Sequence, residues 1–393
     1  MKPSLRFPEF KNEWQEKRLG DVFYFKKTNS LSRADFTEKG SISNIHYGDI
    51  HTKLPSYLDT RSYQLPKIVS IGKGIGEFVE VGDLSMADAS ENYTDIGKSV
   101  EIVNICDKEK VVSGLHTLLL SPKEKHAIGF LGQYFQNGTI REKIRKIANG
   151  ISVLGISKND LSKLTLLTPC IKEQEKIADF LRGGDERMVL LEKKVGAMRE
   201  YKKGVMSAIF SGKLRFKDEN GNPYPDWEER RLEDISRNIP SNITANNIGS
   251  MYSGRYIVYG ASGKVGEIDN YQHAKAFTAI VKDGAGIGRI IWCEEKSSIL
   301  GTLTAICPKN TINAKFLYYM LHQIKFEKYA TGSTIPHIYY KDFSRERFLI
   351  PVEEEQRKIA DFLSAIDRKI ELEQTRLDRT KDFKKGLLQR MFV

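Results

Sequence analysis

Apolar residues near the C-terminus follow a helical period. From Pro351 onward, Ile359, Phe362, Leu363, Ile366, Ile370, Leu377, Leu387 and Met391 recur mostly at steps of three and four, which marks one face of an α-helix. Pro351 stops the strand before it. Glu353, Glu354 and Glu355 occupy the first turn, where anions are favoured, and Lys384, Lys385 and Arg390 lie near the end, where cations are favoured. Forty residues of helix span about 60 Å, longer than a globular core needs. Such a stripe needs a second helix to cover it. The chain supplies one: KEQEKIADFL at 172–181 returns as EEQRKIADFL at 354–363. The pattern predicts two long helices packed antiparallel on each other; the alternative is that each docks on its own globular part.

The repeat extends in both directions. Pro169 matches Pro351, Asp185 matches Asp367, Phe210 matches Phe392, and YKKGVM (201–206) matches FKKGLL (383–388). Upstream, ANGISVLGISKNDL (148–161) lines up with ATGSTIPHIYYKDF (330–343), pairing Gly150 with Gly332 and Asp160 with Asp342. WQEKRLGDV (14–22) matches WEERRLEDI (227–235). Between these landmarks the halves differ. The layout predicts an α+β chain with an internal pseudo-twofold repeat: a mixed α/β head over 1–170, a helical stalk over 171–215, a second head over 216–352 and a second stalk over 353–393. Gly183 and Gly184 replace Ala365 and Ile366, so the first stalk is expected to bend or break there. The matched Gly204 and Gly386 mark either a close helix crossing or a tolerated surface glycine. In the heads, AFTAIVKDGAGIGRIIWCEE (276–295) reads as two strands around a glycine turn. KIVSIGKGIGEFVEVG (67–82) has the same shape in the first head. NAKFLYYMLHQIKFEKYA (313–330) has helical spacing.

Composition narrows the class. Hydrophobic residues at 40% support real cores, and 29% charged residues with a mean hydropathy of −0.42 describe a soluble chain. No apolar run is long enough for a membrane span. Four scattered cysteines without a CxxC pair suggest a reduced, cytoplasmic protein. The net charge of +11 is spread, with 24 basic against 20 acidic residues over 1–170 and 17 against 15 over 216–352. This permits polyanion binding without requiring it.

Catalytic motifs fail on inspection. The glycines at 284, 286 and 288 precede strand-like Ile290, Ile291 and Trp292, where a nucleotide loop needs a helix. GNPY at 221–224 lacks the second proline of an adenine methyltransferase motif. DIGKSV (95–100) has Asn92 where a phosphate loop needs glycine. Asp283, Glu294 and Lys296 match a metal-dependent nuclease only loosely, and the histidines form no ligand pair. Two heads, paired rods and no catalytic set describe a binding subunit.

With these motifs assembled, the chain resembles the specificity subunit of type I restriction–modification enzymes over essentially its whole length. EQEKIADFL and EEQRKIADFL follow a strand-ending proline. The stalks end in YKKGVMSAIFSGKLRF and FKKGLLQRMFV, and GRYIVYGASGKVGEIDNY (254–271) resembles the start of one class of that family's recognition domains. The resemblance implies a double-stranded DNA reader without catalysis, each head taking half of a split, asymmetric target. It implies two methyltransferase subunits recruited by the stalks, methylating adenine N6, and motor–nuclease restriction subunits. S-adenosylmethionine, ATP and Mg²⁺ would then belong to the partners, with no cofactor in this chain. A self-sufficient methyltransferase or nuclease is the enzymatic alternative, and a structural adaptor the other. Stalk length would set the unread spacer between half-sites.

Lys73, Lys282 and Arg289 flank the glycine turns, and Lys158 and Lys341 precede the stalks. With His337 and Tyr339 they are the candidate DNA contacts, the alternatives being solvated surface charge for the cations and packing for His337 and Tyr339. Gln174, Asp179, Gln356 and Asp361, polar and off the apolar stripe, are candidate partner contacts; the alternative is that they cap and solvate the helices.

Overall fold

The structure is a computed structural model, and it describes residues 2–69, 74–248, 254–309, 311–332 and 334–393. Two compact units divide the chain. The first is Met1–Glu192 with Thr375–Val393, and the second is Lys193–Gln374.

Two helices dominate, Ile171–Phe210 and Glu353–Met391. The first runs unbroken through Gly183 and Gly184, where an added β-carbon would meet nothing. The expected break is absent because neighbouring helix-forming residues carry the hydrogen-bond ladder across two open positions. Gly204 and Gly386 likewise face open space; they are tolerated surface glycines and mark no close crossing. Along the second helix, Leu363, Ile366, Ile370, Glu373, Leu377, Thr380, Lys384, Leu387 and Met391 alternate three- and four-residue steps, the spacing of a coiled-coil seam. Cross-helix pairs within each unit show an antiparallel arrangement. In the first, Glu192 meets Lys381 at 2.7 Å and Asp185 meets Lys384 at 2.5 Å. In the second, Lys194 meets Glu373 at 2.8 Å and Lys202 meets Asp367 at 2.6 Å.

The first unit holds a five-stranded sheet in the order Phe23–Lys26, Thr117–Pro122, Leu84–Ala87, Ser99–Asn104, Tyr57–Asp59. A three-stranded sheet of Lys67–Ile68, Ile42–Ile45 and Lys110–Ser113 accompanies it. The second unit holds four strands in the order Ser236–Pro240, Leu303–Pro308, Phe277–Val281, Ile290–Cys293. Its extra sheet is built on the hairpin Tyr256–Gly260 and Gly263–Ile268, with Ser298–Ile299. The first four strands of the two larger sheets correspond in order and direction. The additions differ. All five residues of Phe277–Val281 are buried, which explains its lack of polar alternation: a strand covered on both faces loses that pattern. The expected helix over 313–330 resolves into Ala314–Leu321 and a 3₁₀ turn at Phe326–Tyr329.

Each head is fastened to its long helix in the same way. Arg6 donates twice to Glu173, both at 2.7 Å, and Trp14 Nε1 adds a third bond at 3.3 Å. Arg215 donates to Glu355 at 2.8 and 2.9 Å, and Trp227 Nε1 donates at 2.9 Å. A bidentate guanidinium–carboxylate pair fixes orientation as well as charge. The LRF triplets at 5–7 and 214–216 thus belong to the repeat. Leu5 N–H donates to Arg390 O at 2.8 Å, as Leu214 N–H donates to Ala208 O at 3.0 Å. A second matched junction lies further along. Asp185 binds Lys384 with one oxygen and Gln133 with the other, at 2.6 Å. Asp367 binds Lys202 and the Tyr319 hydroxyl, at 2.7 Å. Among the described residues, no helix is long and apolar enough to cross a membrane.

Candidate nucleic-acid interface

A glycine turn leads off the central sheet in each unit. Gly97 N–H donates to Ala87 O at 3.0 Å, and Ala87 N–H to Lys98 O at 2.8 Å. In the second unit Gly288 N–H donates to Val281 O at 2.8 Å, and Val281 N–H to Arg289 O at 3.0 Å. The φ angles are 68° at Gly97 and 77° at Gly288, the left-handed region that glycine enters without strain. The first-unit counterpart of the turn at 284–289 is therefore Ile96–Gly97–Lys98, not the segment 67–82. The signal was present as Ile-Gly-Lys against Ile-Gly-Arg, inside the stretch that mimics a phosphate loop. The counterpart of Arg289 is Lys98. Lys73 lies outside the described residues.

The repeated segment just before each long helix folds against this turn as a short hook. Ile156 N–H donates to Asp88 O at 2.8 Å, and Ile338 N–H to Lys282 O at 2.9 Å. In the second unit this brings three sequence candidates together. His337 Nδ1 lies 2.8 Å from Asp283 Oδ1 and Lys282 Nζ lies 3.6 Å from Asp283 Oδ2. A carboxylate only accepts, so His337 carries its proton on Nδ1. Tyr339 is exposed, with Lys341 Nζ 5.5 Å from its ring centre. Arg289 is tied to the neighbouring hairpin through Ala261 O at 2.7 Å.

The first unit uses other side chains on the same backbone frame. Lys158 is exposed, 5.9 Å from the Phe25 ring. Lys98 pairs with Asp95 at 2.6 Å and donates to His51 O at 3.0 Å. Asp88 stands 3.6 Å from His116; burial pushes its carboxyl pKa up, and His116 partly offsets this. Lys98, Asp88 and His116 were not singled out by the sequence.

The long-helix candidates separate into two kinds. Gln356 is buried, donating to Pro351 O and Thr311 O while Oε1 accepts from Asn313 N–H. Gln174 donates to Pro169 O and accepts from Ala127 N–H. Both amides are hydrogen-bonded within their own units, Gln356 buried and Gln174 half-buried. Asp179 and Asp361 are exposed. The loose nuclease set does not gather: Asp283 is taken by His337, and Glu294 by Trp292 Nε1 at 2.8 Å.

Comparison with known proteins follows this repeat. The family profile for the type I restriction modification DNA specificity domain matches twice, over residues 11–196 and 224–381. The chain belongs to this family. It is a specificity subunit of a type I restriction–modification system, the component concerned with DNA sequence recognition. A Methanocaldococcus jannaschii protein assigned as the MjaX specificity subunit is 25% identical over 309 residues, 71% of each chain. The MjaVIII specificity subunit of the same organism is 28% identical over 191 residues, 45% of each chain. The crystal structure of the type I system S subunit from M. genitalium superposes with a TM-score of 0.63 at 18% identity, covering 100% of this chain and 99% of that one. A chain from a structure concerning complex assembly and conformational transition of the type I system gives 0.58 at 16% identity, covering 97% of each. These two share the fold. Specificity subunits of this family act in complexes with other subunits of their systems.

Proposed function

We propose that this specificity subunit reads an asymmetric, bipartite duplex target, one half-site per head, and itself catalyses nothing. The observation that carries this is a common frame with unlike dressing. Four strands, the glycine turn, the hook and the Arg–Glu–Trp fastening recur in both units, while the added sheets and the turn-and-hook side chains differ. Equal frames suit two copies of one partner; unequal faces suit unequal half-sites. The partners on this reading are two methyltransferase subunits that modify adenine N6, and restriction subunits. S-adenosylmethionine, ATP and Mg²⁺ act in those partners. Lys158, Lys282, Arg289, His337, Tyr339 and Lys341, joined by Lys98, are the proposed DNA contacts. Lysines position the backbone, and arginine has the geometry to read guanine. Asp179 and Asp361 are the proposed partner contacts on the long helices.

The test is binding and turnover with purified chain. The chain with its methyltransferase subunits binds target duplex over a scrambled one and methylates adenine, with affinity falling as salt rises. The chain alone, with duplex, S-adenosylmethionine and Mg²⁺, turns nothing over. Turnover by the chain alone would overturn the reading in favour of a self-sufficient enzyme.

A further inference from the structure

The hooks themselves have an unused feature. Each is a tight loop closed by a reciprocal pair of backbone bonds. Asn149 and Gly155 exchange N–H···O contacts of 2.9 and 2.7 Å, and Thr331 and His337 exchange contacts of 2.9 and 2.7 Å. Gly150 and Gly332 open the loops at φ 141° and 90°, and a β-carbon at either would overlap the carbonyl oxygen of Val153 or Ile335. Backbone bonds thus close both loops at their base, and the turn geometry admits only glycine at 150 and 332. Beside exposed Ser152 and Thr334 they hold out large apolar side chains. Val153 is 56% exposed and Ile335 57% exposed, at matching positions, and Ile151 is fully exposed.

Display of β-branched side chains to water brings no folding benefit for the part of their surface that stays in solvent. The display recurs in both heads although the head side chains otherwise diverge. Its task is therefore the same at both half-sites and independent of base sequence. What two different DNA sequences share is their backbone and their stacking. Exposed cations follow each tip at the start of the next short helix, Lys158 in the first unit and Lys341 in the second, with exposed Tyr339 beside the latter. An apolar point flanked by cations is the chemistry of side chains that enter a groove and part a base step.

We propose that the two hooks are apolar wedges. Ile151 and Val153 in one head, and Ile335 in the other, press against a base step beside each half-site, while Lys158 and Lys341 lie along the phosphates. This deepens the DNA-reading function and rests on it. Loosening the stack there would also help a methyltransferase draw a neighbouring adenine out of the helix.

The experiment uses the chain assembled with its methyltransferase subunits, on the duplex found methylated in the cell and on a scrambled duplex. 2-Aminopurine is placed at the steps flanking each half-site. The variants are Ile151→Ser with Val153→Ser, and Ile335→Ser, with Ile335→Leu as the conservative control. The wedge predicts binding at least about tenfold weaker for the serine variants. It predicts loss of the 2-aminopurine fluorescence rise, and a salt dependence unchanged because no cation is removed. The target-to-scrambled ratio should be unchanged, the leucine variant near wild type and the thermal midpoints unaltered. Serine variants that bind within about twofold of wild type would overturn the proposal. So would variants that lose assembly with the methyltransferase while the remaining complexes bind DNA normally, which would make the tips a protein-docking surface. If wild type fails to discriminate target from scrambled duplex, the DNA-reading function falls as well; if it discriminates and the variants match it, only the wedge falls.

Discussion

At the scale of single residues, the two heads depend on carboxylates that have left water. Glu355 is completely buried and has Arg215 as its cationic partner in the fastening. Arg215→Met should leave that carboxylate without its cation, held only by Trp227 Nε1 and Phe216 N–H, and cost about 3–5 kcal/mol in denaturant unfolding of the second unit. Buried neutral histidines give a second residue-level expectation. Burial, then Arg33, lowers the pKa of His46; burial, then Arg237, lowers that of His273. Only the unfolded chain takes up these protons just below about pH 6.5, so stability is full above that pH and declines below it. Melting scans should show midpoints falling from pH 7.5 toward 5.5, with His273→Phe flattening the decline. Such roles were only half legible in the sequence. Trp14 and Trp227 are visible as a repeat, whereas the equivalence of Arg6 and Arg215 is masked because the segments between arginine and tryptophan differ in length and composition. Gln174 and Gln356 were recognisable as equivalents, yet equivalence does not say which way an amide points. Their inward bonds to Pro169 O and Pro351 O depend on the strand ends docked beside them.

At the scale of elements, glycines sort into two physical kinds. Gly97 and Gly288 sit at positive φ with Ile144 and Phe326 packed against the place a β-carbon would take. Alanine at either should cost about 1–3 kcal/mol and disturb the turn carrying Lys98 or Arg289. Gly204 and Gly386 lie in helix interiors facing open space, so alanine there should stabilise by up to about 1 kcal/mol. Denaturant titration of the four variants checks both signs. The long helices were legible because three- and four-residue steps persist over many turns. The Gly183–Gly184 expectation failed because a propensity cost is local while the ladder is cooperative. The head strands were less legible. Several run two to six residues, and burial on both faces removes the alternation that would mark them. The turn at Ile96–Gly97–Lys98 was hidden for a different reason: only its backbone bonds, made to a strand several residues upstream, reveal what it corresponds to.

At the scale of the whole molecule, each long helix belongs to both compact units: the unit boundaries fall between Glu192 and Lys193 and between Gln374 and Thr375. On the proposed function, inserting seven residues at both boundaries preserves the three-and-four seam and adds about 10 Å of helix. Binding selection from randomised duplexes should then return a longer unread spacer with unchanged half-sites. The repeat itself was visible in the amino-acid string, and with it the two-headed plan. What the heads read was not, because base contacts come from sparse side chains on turns whose placement is tertiary. The most direct measurement is methylation-sensitive sequencing of DNA from cells whose copy of this chain has residues 236–350 exchanged for those of another family member. The account predicts that one half of a bipartite methylated motif changes while the other half stays. A change in both halves, or a single uninterrupted motif, would contradict it.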